Sequence, residues 1–120
     1  MESYRDLIVW QKAMSLVVKI YQTTKVFPKS ETYALASQMQ RAAVSIPSNI
    51  AEGQALKQTK AYLRHLAIAS GSLAELETQI EIANSLGYLR PEDKQLLLLA
   101  NEIGRMLSKL RQNLESKLAV

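Results

Sequence analysis

Tyr62-Leu-Arg-His-Leu-Ala-Ile-Ala-Ser-Gly-Ser-Leu-Ala-Glu-Leu-Glu-Thr-Gln-Ile-Glu-Ile-Ala83 is the stretch on which the fold turns. Within it Tyr62, Leu66, Ala69, Leu73, Leu76, Ile80 and Ala83 recur at alternating spacings of four and three. That alternation is the seam of left-handed, nearly antiparallel helix packing, and it predicts a helix from about Gln58 to Leu86, closed by Gly87. Ala67, Ser70, Gly71 and Ala74 put small side chains along its middle. A mid-helix glycine costs about 1 kcal/mol against alanine, so a neighbouring helix is expected to come close at Gly71.

Three further helices read outward from this one. Helix 2 carries Leu35, Met39, Ala42, Ile46 and Ile50 on one face, with Ser30 as the candidate cap. Pro47 falls inside this pattern and removes the bond to the Ala43 carbonyl. It predicts either a kinked continuous helix or a break that restarts at Ser48. Helix 1 reads from Asp6 as N-cap to Thr24, with Leu7, Trp10, Met14, Val17 and Tyr21 as its apolar stripe. Helix 4 starts at Pro91, where Glu92 and Asp93 suit the positive end of the dipole. Leu96, Leu99, Ile103, Met106 and Leu110 form its seam, while Leu97 and Leu98 widen the apolar belt beyond one face. A belt that wide predicts burial against another subunit. Short connections make the expected fold an all-α, up-down-up-down antiparallel four-helix bundle, a single domain over residues 1–120.

Composition excludes much. The 120 residues are 48% hydrophobic with only 4 Gly and 3 Pro, which argues for a packed core and against disorder. There is no cysteine, so disulfides and thiolate chemistry are excluded. The N-terminus lacks a charged-then-apolar signal, and no apolar run approaches the ~20 residues of a membrane span, so a cytoplasmic protein is expected. His65 is the lone histidine, and the residue three before it is Tyr62, so the Glu-x-x-His pairs of di-iron bundles are missing. Glu75, Glu77 and Glu81 read as a solvated face. With no Gly-rich phosphate loop and no Ser/His/Asp set, we expect no enzyme, no metal and no cofactor.

Arg41-Ala-Ala-Val-Ser-Ile-Pro-Ser-Asn-Ile-Ala-Glu-Gly53 carries a resemblance, together with Leu7-Ile-Val-Trp-Gln-Lys12 before it and Gly71-Ser-Leu-Ala-Glu-Leu-Glu77 after it. In that order the chain resembles the 23S ribosomal RNA intervening-sequence proteins, a four-helix-bundle family. The resemblance implies a homo-oligomeric ring, a pentamer. More distantly the chain is similar to the accessory variability determinant of diversity-generating retroelements, a basic pentamer that partners a reverse transcriptase. Nucleic acid, RNA or DNA, and a protein of that kind are therefore the implied partners.

Two residue sets bear on those partners. Arg41, Ser45, Asn49 and Glu52 follow spacings of four, four and three along helix 2. They form either a solvated face or a hydrogen-bonded strip against a neighbouring subunit; the related assemblies favour the strip. Arg41, Asn49, Glu52, Leu97 and Leu98 are accordingly the candidate interface residues. Buried charges there would specify register more than add stability. In an up-down-up-down bundle the start of helix 1, the helix 2–3 connection and the end of helix 4 share one end. That end holds nine of the 15 basic residues against four of the 11 acidic ones, a net +5 within a total of +4. Lys57, Lys60 and Arg64 stand where the helix dipole is already positive, so they are not there to stabilise helix 3. With Lys109 and Arg111 they are the candidate phosphate contacts, against the plainer reading of a solvated basic end. Aromatics are sparse there, which argues against base stacking. The expected function is a non-enzymatic oligomeric accessory protein that associates with nucleic acid; the alternative is a scaffold for proteins alone.

Overall fold

Four α-helices account for most of residues 3–118, which the computed structural model describes: α1 Ile8–Thr24, α2 Leu35–Ala55, α3 Thr59–Ser85 and α4 Leu96–Leu118. There is no strand among the described residues. Sequential helices pack side by side and α4 closes back on α1. Late residues of one helix meet early residues of its neighbour: Gln40 donates to Thr24 (3.0 Å), Asn49 lies against His65 (3.0 Å), and Arg111 donates to Ser70 (3.3 Å). Lys12 pairs with Glu102 (3.2 Å) and Thr23 donates to Asp93 (3.0 Å) across α1 and α4. Neighbours therefore run in opposite directions around a rod of 51 × 21 × 20 Å. No helix among the described residues is long and apolar enough to cross a membrane.

The α3 seam packs as its spacing predicts, with Leu66, Ala69, Leu73, Leu76, Ile80 and Ala83 all buried. Gly87 (φ +78°) closes the helix, its N–H bonded to Asn84 O and the Tyr88 N–H to Ala83 O. This is the left-handed cap in which only glycine is free of Cβ strain.

Other expectations are corrected. The stripe of α1 is rotated by one position: Val9, Ala13, Leu16 and Ile20 are buried, while Met14 and Tyr21 are exposed. Both registers are apolar, so periodicity alone could not choose between them. In α4 the buried line runs through Leu96, Ala100, Ile103 and Leu107, leaving Leu99, Met106 and Leu110 at its edge. Asp6 is not the cap of α1 but ends a 3-10 turn, Tyr4–Asp6, that Ser3 caps. Ser30 likewise lies in a 3-10 turn, Lys29–Glu31; the Glu31 carboxylate accepts from Leu35 N (3.3 Å) at the start of α2 and from the Tyr88 hydroxyl (2.9 Å). Pro91 opens a 3-10 turn, Pro91–Gln95, that runs into α4.

Of the two alternatives at Pro47, the break is absent, and α2 continues through it. The ring is buried, and Ile46 and Ile50, both fully buried, hold the turns on either side. Gly71 makes no close approach within the chain: a Cβ there would meet nothing within 4 Å. The tight glycine is Gly53, where a Cβ would lie 2.8 Å from His65 Cβ.

Candidate nucleic-acid interface

α2 ends at Ala55 and the chain turns through Lys57, whose φ of 55° is the only positive value on a non-glycine residue among those described. Gln58 is extended and caps α3 with its backbone alone, without a side-chain bond. The first backbone bond of α3 joins Tyr62 N to Gln58 O (2.9 Å), so the preceding N–H groups face outward. No acidic residue stands in that first turn. Lys57, Lys60 and Arg64 are all exposed there. None of the three joins an ion pair among the described residues. A helix N-terminus with free N–H groups, two lysines and an arginine presents positive potential that the chain itself does not neutralise.

The structure parts Arg111 from Lys109, and the one hydrogen bond that holds the Arg111 side chain among the described residues is at Ser70, beyond Arg64 along α3. Arg111 is half-buried and donates to Ser70 on α3, which fixes it on the α3 side of α4. Lys109 is two residues earlier, roughly 200° around the helix, and is exposed on the other side. It lies one turn beyond Arg105, which lines the groove between α4 and α1.

The polar stripe of α2 is less uniform than its spacing suggests. Ser45, Asn49 and Glu52 turn toward α3. The Ser45 and Ser72 hydroxyls bond at 2.7 Å. Asn49 donates to the Ser45 carbonyl (2.8 Å) and hydroxyl (3.1 Å), leaving its Oδ1 3.0 Å from His65 Nδ1. Glu52 Oε2 lies 3.6 Å from His65 Nε2. His65, 8% exposed, thus lies between an amide of α2 and a carboxylate of α2. In the sequence this histidine stands alone, with no partner at helical spacing to mark it. Its signal was Gly53, the glycine that lets α3 approach α2 at that level. Arg41 is exposed and joins no ion pair among the described residues, Leu97 is half-buried, and Leu98 is 70% exposed.

A feature the sequence did not reveal lies on the opposite side of α2. Tyr4, Trp10, Met14, Val17, Val44 and Pro47 line an open apolar groove between α1 and α2. It follows from the rotated stripe of α1. Among the described residues no three His, Asp or Glu side chains converge as a metal site.

These features sit on a family pattern that spans most of the chain: the model described as 23S rRNA-intervening sequence protein matches residues 5–109. The chain belongs to that family. Among solved structures it is similar to a protein of unknown function from the S23 ribosomal protein family of Bacteroides thetaiotaomicron, with a TM-score of 0.80 at 21% identity. That match covers 88% of this chain and 96% of the other, and it shows the shared helical bundle. A comparison with curated proteins gave no match.

Proposed function

We propose that this chain is a self-assembling, non-enzymatic accessory protein that binds nucleic acid, RNA foremost, through phosphates at its basic end. The observation that carries the reading is the trio Lys57, Lys60 and Arg64, exposed and without a carboxylate partner among the described residues, at a helix start with no side-chain cap. Lys57 adds weight. Its left-handed backbone costs a side-chain-bearing residue about 1–2 kcal/mol, a cost glycine would avoid, so the lysine serves something other than the fold. The family's description names 23S rRNA, which favours RNA as the anion. Self-assembly would bring several copies of the trio together, and phosphate contacts summed over copies raise affinity without reading sequence.

The test is a titration of generic RNA at low and moderate salt. For the parent, the logarithm of affinity falls linearly with the logarithm of salt, with little preference among RNA sequences. Lys57→Ala/Lys60→Ala/Arg64→Ala flattens that slope by roughly 2–3, about 0.7–0.9 for each lost phosphate contact. Lys57→Gly weakens binding in the same direction while relieving the strained turn, which separates the charge from the fold. Equal binding by parent and triple variant, or no binding by the parent at low salt, would replace this reading with a scaffold for proteins alone.

A further inference from the structure

We infer that the α1/α2 groove of one copy seats the α3/α4 side of a second copy, with Arg41 of the first meeting Glu77 of the second. The inference rests on the self-assembly in the proposed function and names the surfaces that perform it. α1 has a second apolar stripe besides its buried one: Met14 (41% exposed), Val18 (54%) and Tyr21 (47%) face outward at spacings of four and three. A helix apolar on two sides needs cover on both, and the chain supplies only one. Val44 and Ser48 of α2 form the other wall of the groove, and Arg41 continues their outward line at the same helical spacing. The cations bordering this surface, Arg41 and Lys25, join no ion pair among the described residues.

The complement is on the far side of the bundle. Between α3 and α4 a shallow groove is lined by Ala74, Glu77, Thr78, Glu81, Leu97 and Asn101. Neither Glu77 nor Glu81 joins an ion pair among the described residues, and burial and the charge of Glu81 push the Glu77 carboxyl up. Height along the rod also matches. The Ser45–Ser72 bond fixes the antiparallel register of α2 and α3, so four residues back from Ser45 and four on from Ser72 set Arg41 level with Leu76, beside Glu77. Two copies lying side by side would bring Arg41 and Glu77 together without sliding. The small residues Gly71 and Ala74, exposed and unused inside the chain, border the same face and allow close approach. Because the two surfaces differ, the contact is head-to-tail and passes from copy to copy, closing into a ring where the rotation between neighbours permits.

The experiment is the mass in solution, by light scattering across a dilution series, of the parent, Arg41→Glu, Glu77→Lys and the combined variant. Circular dichroism checks that each keeps its helix content. Each single reversal weakens assembly by at least about tenfold, and the combination restores most of it, because the pair is then opposite in sign again. Single variants that assemble as the parent does, or a combination no better than the singles, would overturn this contact while leaving an oligomeric parent intact. A monomeric parent would instead overturn the proposed self-assembly and this contact with it.

Discussion

Gly53 shows how a single missing side chain sets the spacing of two helices. A methyl at that position would lie 2.8 Å from His65 Cβ and 3.1 Å from a ring carbon of Tyr62. Alanine is the better helix former by about 1 kcal/mol, yet overpacking a tight contact costs about 1–3 kcal/mol, so the clash decides the sign. Gly53→Ala is therefore expected to lower stability, read as a lower denaturant midpoint at unchanged m-value. It should also disturb the Asn49–His65–Glu52 cluster, which lies at the same level. Lys57 is the reverse case, a residue that the fold would exchange for glycine and that charge explains better.

At the scale of elements, the joint before α4 is held by one carboxylate. Asp93 is 5% exposed and accepts from the Arg90 backbone N–H (2.9 Å), Arg90 Nε (3.1 Å) and the Thr23 hydroxyl (3.0 Å). Burial pushes its carboxyl up, but the bonds from Arg90 and Thr23 together outweigh burial and hold it below the ordinary 3.8. A depressed carboxyl stabilises the fold above its unfolded pKa, and that contribution is lost as pH falls through the lower folded value. Asp93→Asn should therefore cost about 1–3 kcal/mol at neutral pH, where a buried partner set is left mismatched. The penalty should shrink as pH drops below 3.8, because the parent then protonates the same group. Denaturant curves at neutral and acid pH check both halves; a penalty that does not change with pH would remove Asp93 from the account. Pro47 belongs to this scale as well. Its missing bond is tolerated because buried neighbours, not the hydrogen-bond ladder, hold α2 in place.

The whole molecule is a rod with chemically different surfaces: a basic end, an apolar α1/α2 groove and an acidic α3/α4 side. Exposed Met14, Val18 and Tyr21 beside half-buried Trp10 make a patch that a lone copy leaves in water. We expect the protein at micromolar concentration to scatter as a multiple of its 13.4 kDa chain, five copies being the number the family resemblance implies. Scattering at 13.4 kDa alone would end that expectation. In the proposed function assembly depends on the sides of the rod and nucleic-acid binding on its end, so variants at one should spare the other.

The sequence by itself determined the helices, the α3 seam and the family. Leu66, Ala69, Leu73, Leu76, Ile80 and Ala83 admit one buried register, and Gly87 admits one use at a helix end. Charge was legible too, since Lys57, Lys60 and Arg64 oppose the helix dipole wherever α3 is placed. Only the tertiary structure decided which of two apolar stripes of α1 is buried, because both satisfy helical period and the choice depends on what α2 and α4 offer opposite. The same is true of Asn49, Glu52 and His65: spacing along α2 put the first two on a common side, but only the register against α3 could show that His65 faces them. Lys109 and Arg111 are neighbours in sequence and strangers in space, because a helix turns about 100° per residue and Ser70 holds only one of them. Local periodicity determines what is helical and what is apolar; which face meets which is settled by packing between elements distant in sequence.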